Sequence, residues 1–292
     1  MLDRYQERYR LYDWVLGELA QLLSAKYPGA AAIDIGANVG DTAALLCSRQ
    51  PIAVLCIEGH PRFLPYLRRN VRQLPGEIAI AECLIGAGPG RVPLAGFTDH
   101  HGTASIDHAV AAAGQNADGV PVRPLAELLA EHSRFRHARL VKTDTDGSDF
   151  EILGASAHLF AETRPVLFFE YDPTLRARGI EEARATVAAL LRAGYCRFLV
   201  YDNFGHFLRR IDGDCAEQFA ELDRYLFSNL FYGRQIYYYD VCAFSLEGAD
   251  VCEALESAQR LVVEAAMHRD GREIRPEKQR REARCPDFPL CA

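Results

Sequence analysis

The sequence predicts a doubly wound α/β domain of the Rossmann type, and two stretches carry that prediction. An apolar strand at 30–35 runs into a glycine turn and a helix from Asp41, and a second apolar strand at 52–57 ends in Glu58. Strand, turn, helix, strand and acid in this order form a crevice for an adenosine-containing ligand, with the acid on the ribose hydroxyls. Further apolar strands alternate with helical patterns, as a sheet covered on both faces requires.

Two residues of the glycine turn indicate which nucleotide it takes. A G-x-G-x-x-G fingerprint would have glycine where Asn38 and Asp41 stand. We expect Asp41 to cap the following helix and to repel a diphosphate from its N-terminus, which otherwise attracts anions. S-adenosylmethionine carries no phosphate, and its ammonium and sulfonium groups suit acidic surroundings. The turn therefore predicts a methyl-donor site, with a nicotinamide-dependent oxidoreductase as the less favoured alternative.

The composition of the chain limits the classes of protein to which it can belong. A chain of 292 residues with 49% hydrophobic content suits one large domain with appendages. Its formal net charge of −7 offers no general basic surface for nucleic acid. The 9 cysteines contain no C-x-x-C pair, which predicts neither a disulfide framework nor a zinc site. The chain opens on a charged stretch and has no apolar run near the roughly 18 residues of a membrane span, so we expect a cytoplasmic protein.

Apolar spacing predicts the organisation of the chain. A helix within 3–25 either forms a lid over the site or packs on the sheet edge. We expect an N-terminal helical segment at 1–29, one domain at 30–267 that ends in a helical extension from Ala249, and a flexible charged tail at 268–292. Seven strands are predicted for the sheet, at 30–35, 52–57, 78–85, 139–144, 165–170, 195–201 and 237–244.

The end of the third strand and the segment after it supply further candidate residues. The end of this strand borders the adenine in such folds, which makes Cys83 a candidate for cofactor binding. The next segment is irregular and contains a histidine pair beside small polar residues. We expect it to form an acceptor loop, with His101 as a candidate general base, second to Asp144 of the fourth strand, and with His100 and Ser105 as substrate-binding residues.

The fourth strand ends in an acidic turn that contains Asp144, Asp146 and Asp149. These carboxylates could bind a divalent metal, act as a base and orient ligands, or, in the case of Asp149, cap the next helix. We expect Asp144 to be the base, Asp146 to contact substrate and Asp149 to be the cap, and we assign no metal ligand. Lys142 points to the same strand face as Asp144 and is expected to pair with it or with a buried acid. The fifth strand also ends in an acid, Glu170, a further substrate-binding candidate.

Three blocks resemble the FkbM-type methyltransferases, which use S-adenosylmethionine and have a Rossmann-like seven-stranded sheet. The blocks run from Asp34 to Asp41, from Ile57 to Asn70 and from Leu140 to Glu170. The resemblance implies S-adenosylmethionine as cofactor, and it implies a donor site formed by Asp34, Gly36, Asn38, Gly40, Glu58 and His60.

The resemblance also implies an O-methyltransferase for a hydroxyl of a small acceptor, such as a sugar or a natural-product intermediate. It implies no nucleic-acid partner and leaves a homo-oligomer open. The chain departs from the family where Ala126 replaces an acid and where Asp146 and Asp149 replace glutamates. A catalytically inactive partner subunit with a methyltransferase fold is therefore the alternative.

Overall fold

The apolar strands of the sequence form one large sheet in the computed structural model, which describes residues 11–100, 103–106, 119–213, 215–229 and 235–270. The strands in chain order are β1 Ala31–Ile35, β2 Ala53–Ile57, β3 Ile78–Ala81, β4 Leu84–Ile85, β5 Gly90–Pro93, β6 Phe97–His100, β7 Thr103–Ile106, β8 Gly119–Arg123, β9 Leu140–Thr143, β10 Val166–Tyr171, β11 Tyr195–Asp202, β12 Phe207–Asp212 and β13 Tyr239–Ser245. The helices are α1 Trp14–Lys26, α2 Asp41–Leu46, α3 Leu64–Val71, α4 Leu125–Glu131, α5 Asp149–Thr163, α6 Gly179–Arg192, α7 Cys215–Asn229 and α8 Ala249–Asp270.

The large sheet has the order β12-β11-β13-β10-β9-β1-β2-β3. The strands from β10 to β3 in this order are parallel neighbours, whereas β13 runs antiparallel to both β10 and β11. The chain moves outward from β1 to β3 and then returns to β9 on the other side of β1. This reversal opens a crevice at the carboxyl ends of β1 and β9. The predicted Rossmann-like α/β fold is confirmed.

The sheet has eight strands rather than the predicted seven, because β12 adds an antiparallel edge beside β11. Phe207 and Leu208 at the start of β12 are exposed, and only Ile211 is fully buried in this strand. An edge strand with so little burial lacks the apolar pattern by which a strand is predicted. The sequence therefore indicates only a turn at this place.

Two other predictions were wrong in detail. The predicted strand at 78–85 is interrupted after Ala81, and its last residues form β4, which pairs with β8 in a separate small sheet of order β4-β8-β5. The segment predicted as irregular contains β5 and the hairpin of β6 and β7. These strands are short, so they carry weak periodicity. The sequence also predicts an exposed insertion at 109–118, and these residues lie outside the described ones.

Helices cover both faces of the sheet and bury its strands. One face packs against α4, α5, α6 and α7, and the other packs against α1, α2, α3 and the first turns of α8. In α1, the side chains of Leu16 and Leu19 are 0% exposed. Of the two alternatives for this helix, packing on the sheet is therefore the one observed.

The residues that precede α1 contact the hairpin between β11 and β12. Gly205 in this hairpin has a φ of 83°, and a Cβ built on it would lie 1.9 Å from the backbone oxygen of Leu11. Only glycine fits so close an approach with that backbone conformation. The hairpin thereby fixes the chain path through Leu11 and Tyr12 into the helix.

The chain divides into two compact units, the first ending at Leu255 and the second beginning at Glu256. The C-terminal helix continues to Asp270, three residues beyond the end predicted for it at Met267. Among the described helices, none combines the length and apolar character needed to cross a membrane.

Candidate active site

Backbone conformation explains the glycines of the turn after β1. Gly36, Asn38 and Gly40 have φ values of 78°, 45° and 91°, a region that glycine tolerates and asparagine adopts more readily than most residues. A Cβ on Gly36 would lie 2.0 Å from the backbone oxygen of Asp144, so glycine lets the two strand ends meet. A Cβ on Gly40 would instead meet two apolar side chains of α3 at 3.0 and 3.2 Å. Gly40 therefore serves helix packing and does not line the crevice described below.

Glu58 is fixed at the end of β2 by backbone hydrogen bonds. Its carboxylate accepts the N–H of Asn38 at 2.9 Å and that of His60 at 2.6 Å. Burial raises the pKa of Glu58, and these backbone donors partly offset that effect. Each oxygen retains a second lone pair, so the carboxylate can still accept the two hydroxyls of a ribose.

A crevice with about 600 Å³ of empty space, part of it open to solvent, lies between the turn and Glu58. The ring of His60 lies 4.8 Å from that of Phe63 and 4.7 Å from that of Phe97 at one end of the crevice. Apolar side chains, among them Cys83 and Ile152, form the adjoining wall. This slot suits a planar base. Among the described residues, no lysine or arginine lines the crevice, so nothing there neutralises a diphosphate.

The acidic turn after β9 forms another wall of the crevice, through Asp144, Thr145 and Asp146. Asp146 has a φ of 51°, which is uncommon for a residue other than glycine. Burial raises the pKa of Asp146 to about 7, and the charges of Asp144 and Asp149 add to the effect. The turn thus presents a carboxyl group with a pKa of about 7, that of Asp146, beside the carboxylate of Asp144.

Asp149 ties this turn together and does not cap the helix. The cap position of α5 is Ser148, and the Asp149 carboxylate accepts hydrogen bonds from the hydroxyls of Thr143 at 2.7 Å and Thr145 at 3.0 Å. It also accepts the backbone N–H of Thr145 at 3.3 Å. The predicted cap at Asp41 is wrong in the same way, because Gly40 holds the cap position of α2. In each case the acid is the first residue of its helix and the preceding residue turns the chain.

Lys142 is a buried cation beneath the acidic turn. Its Nζ lies 3.5 Å from Asp34 Oδ1 and 3.4 Å from Asp144 Oδ2, which confirms the predicted pairing. Burial alone would lower the pKa of Lys142, but the neighbouring carboxylates outweigh it and hold that pKa well above its usual value. Asp34 is 0% exposed, and its pKa is raised to about 6 by burial despite the lysine. Asp34 therefore lies beneath the crevice rather than in its wall.

The structure brings together one part of the predicted site. The predicted residues that line the crevice are Gly36, Asn38, Glu58, His60, Cys83, Asp144 and Asp146. Glu170 lies outside it, beside a small cavity under the acidic turn. The backbones of His100 and Ser105 lie in the hairpin of β6 and β7. His101 lies outside the described residues.

Several residues near the site were not predicted. Phe63 and Phe97 enter the crevice from the start of α3 and from β6. Asp13 and Asp240 lie close enough to Lys142 and Asp144 for their charges to interact. A pairing of the fifth and last predicted strands would have placed Asp240 beside Glu170. The apolar pattern of the strands does not predict their order in the sheet, so this pairing could not be inferred.

The part of the chain that the structure describes contains neither a metal-binding group of side chains nor a disulfide. No group of three or more His, Cys, Asp or Glu side chains there is arranged to hold a metal ion. The described cysteines are free thiols, namely Cys47, Cys56, Cys83, Cys196, Cys215, Cys242 and Cys252.

Comparison with known families gives a match over most of the chain. The model of the methyltransferase FkbM domain matches residues 34–235. These residues contain the glycine turn, Glu58 and the acidic turn. No curated protein matches the sequence closely enough to count as a relative.

Several solved structures match part of this chain at low sequence identity. The methyltransferase FkbM of Methylobacillus flagellatus is 19% identical with a TM-score of 0.41, and the match covers 58% of this chain and 39% of that one. The chain thus spans about two fifths of the length of that structure. A putative O-methyltransferase of Klebsiella pneumoniae is 9% identical with a TM-score of 0.41, with coverage of 78% and 79%. Aeropyrum pernix fibrillarin with bound S-adenosyl-L-methionine is 13% identical with a TM-score of 0.37, with coverage of 79% and 76%.

Proposed function

Because this chain belongs to the FkbM methyltransferase family, whose cofactor is S-adenosylmethionine, we propose that it methylates a hydroxyl of a small acceptor such as a sugar or a natural-product intermediate. One observation carries the proposal. Asp144 lines the crevice beside the turn of Gly36, and its side chain is 39% exposed although Lys142 beneath it is buried. A carboxylate in this position can accept a proton from a hydroxyl that enters from the open side.

The residues present fit the cofactor. Glu58 offers carboxylate lone pairs to a ribose, and the slot beside His60 and Cys83 offers an apolar wall to an adenine. The acidic turn suits the positive charge of a sulfonium and an ammonium, and the described lining has no cation that would repel them. These features support binding of the donor along the crevice, from β2 toward the acidic turn.

The proposed mechanism depends on position and on one proton transfer. S-adenosylmethionine, when bound, supplies a methyl group on a sulfonium centre that leaves as a neutral thioether. The crevice walls hold donor and acceptor in line, and such positioning contributes several kcal/mol. A hydroxyl is a weak nucleophile, so Asp144 takes its proton as the oxygen–methyl bond forms. Asp149 holds the turn that carries Asp144 through the hydroxyls of Thr143 and Thr145.

Glu58→Ala is expected to weaken donor binding by about 10- to 100-fold, because hydrogen bonds to a buried charge contribute roughly 1.5–3 kcal/mol. The measurement is a calorimetric titration with S-adenosylhomocysteine, with NADH as a ligand that should not bind. Glu77→Ala is the matched control, because Glu77 is exposed and pairs at 3.5 Å with Arg134. An unchanged affinity in Glu58→Ala would remove Glu58 from the donor site.

Product analysis tests the proposed reaction. Donor with a ¹³C-labelled methyl group is incubated with the protein and a panel of sugars and hydroxylated natural products, and NMR identifies the atom that receives the label. We expect a methyl ether. A label on nitrogen or carbon would contradict O-methylation. Binding of S-adenosylhomocysteine without transfer to any acceptor would favour the inactive partner subunit.

A further inference from the structure

Two carboxylates face each other across neighbouring strands at the edge of the sheet beside the site. Glu170 on β10 and Asp240 on β13 are directly opposite in the antiparallel register. Opposed residues in such a pair have Cβ atoms about 4.5–5.5 Å apart, and like charges there are destabilising. The register of β9 with β10, continued by one step, also places the pair beside Asp144.

Neither carboxylate has a partner among the described residues. Glu170 is 7% exposed and Asp240 is 8% exposed, and neither side chain makes a hydrogen bond or an ion pair there. Their oxygens retain some accessible surface, unlike those of the fully buried Asp34. Glu170 lines a small cavity with about 230 Å³ of empty space, part of it solvent, together with Asp149, Asp172 and Arg176. Glu170, a buried acid that opens onto this cavity, is placed to meet a ligand.

The surroundings of the pair add negative charge. Burial raises the pKa of Glu170 well above its usual value, and the charges of Asp144, Asp149 and Asp146 raise it further. Burial likewise raises the pKa of Asp240, and Asp13 and Asp144 add to it. Two described cations lie nearby, and both are already paired with carboxylates. Lys142 is paired with Asp34 and Asp144. Arg176, which lines the cavity together with Glu170, is paired with Glu151 and Glu182. A positively charged ligand would therefore gain strongly here.

The arrangement selects an organic cation rather than a metal. No set of three acidic, histidine or cysteine side chains among the described residues is close enough to ligate a metal ion. An ammonium group has three donors and can bridge two carboxylates that face each other. The register of β9 with β10 pairs Thr143 with Phe169, and one step further places Asp144 beside Glu170. With strands about 4.8 Å apart, a hydroxyl at Asp144 and an amine at Glu170 lie within one small molecule.

We propose that Glu170 and Asp240 bind a protonated amine of the acceptor, so that the substrate is an amine-bearing polyol of the amino-sugar or aminocyclitol class. The methylated hydroxyl then lies on a carbon close to the amine. This inference rests on the proposed function, because it takes Asp144 as the base that the hydroxyl meets.

The test compares matched ligands that differ by one amine in place of one hydroxyl. Protein saturated with S-adenosylhomocysteine is titrated in a calorimeter with glucosamine against glucose, and with scyllo-inosamine against scyllo-inositol. We expect the amine of at least one pair to bind about tenfold or more tightly, as hydrogen bonds to charged groups provide. Equal binding within both pairs, or no binding by any of the four ligands, would overturn the proposal.

Variants test which residues cause the preference for the amine. Glu170→Gln and Asp240→Asn are each expected to abolish the preference for the amine and to leave the neutral ligand unchanged. Glu253→Gln, at a surface glutamate 3.0 Å from Arg197, is the control and should retain the preference. An amine preference that survives both site variants would contradict the assignment. The comparison of ligands on the unsubstituted protein needs no variant to fold.

Two further measurements separate the possible failures. Magnesium chloride alone should give no saturable heat, and saturable binding lost in Glu170→Gln would make the site a metal site and overturn the proposal. If S-adenosylhomocysteine does not bind, the proposed function itself fails. If it binds and neutral hydroxyls are methylated with no advantage for amines, only this inference fails.

Discussion

Asp144→Asn is expected to lower kcat by about 10²- to 10⁴-fold and to leave the affinity for S-adenosylhomocysteine within a few-fold. Asparagine has the shape of aspartate but cannot take the proton of the acceptor hydroxyl. The link between Asp144 and the donor turn is made by backbone, through its N–H and the carbonyl of Ile35 at 3.2 Å, and asparagine keeps it. Single-turnover kinetics with labelled donor measure kcat, and calorimetry measures the affinity.

Asp212→Asn controls for the substitution itself. Asp212 lies at the end of edge strand β12, where its carboxylate pairs with Arg210 at 2.5 Å. This variant should keep both kcat and donor affinity. Equal losses of kcat and donor affinity in Asp144→Asn would show that the residue shapes the crevice and does not serve as the base.

Lys142→Met is expected to lower the free energy of unfolding by about 3–5 kcal/mol, because it leaves buried carboxylates without their cation. Lys142 is 4% exposed and lies within 3.5 Å of both Asp34 and Asp144. Urea denaturation followed by fluorescence and circular dichroism measures the loss. Lys26→Met is the matched control, because Lys26 pairs with Asp250 at 2.6 Å on the surface. Exposed pairs contribute about 0–1 kcal/mol, so similar losses in the two variants would contradict the argument.

The loss in Lys142→Met depends on pH, with a sign that follows from Asp34. Burial already raises the pKa of Asp34 to about 6 while the lysine holds it down, so removal of the lysine raises that pKa further. The folded variant then binds a proton that the unfolded chain, with an aspartate pKa near 3.9, does not bind. The variant therefore gains stability as pH falls through the raised pKa. We expect its deficit relative to the unsubstituted protein to be smaller at about pH 5.5 than at about pH 8.

The crevice walls on the proposed donor side could be placed from the sequence because their residues are local in it. The turn from Gly36 to Gly40 and the acid at Glu58 follow from strand, turn and helix signals within one βαβ unit. Lys142 and Asp144 could be paired from strand geometry alone, since residues two apart share a face. The roles of Asp41 and Asp149 could not be predicted. A shift of one residue in the start of a helix turns a cap into the first helical position, and helix boundaries are the least reliable part of a sequence-based prediction.

The proposed acceptor side depends on contacts between distant segments, which no local pattern reports. Asp240 meets Glu170 only because β13 enters the sheet between β10 and β11. Asp13 comes near Lys142 only because α1 packs across the sheet. On the donor side, the contact of Phe97 with the ring of His60 is equally distant in sequence, and it comes from a short hairpin with weak periodicity. Short strands and tertiary packing thus account for the contacts that could not be predicted from the sequence.

The extra hairpin of β11 and β12 constrains the path of the segment that leads into α1. Its Gly205 fits against the backbone of Leu11. Two residues after Leu11 lies Asp13, whose charge interacts with those of Asp144 and Asp240. A longer or bulkier hairpin would shift that incoming segment and move Asp13, while the turn at Gly36 and the acid at Glu58, which lie in other elements, stay in place. The length of this edge hairpin and the position of Asp13 are therefore coupled through the backbone at Leu11.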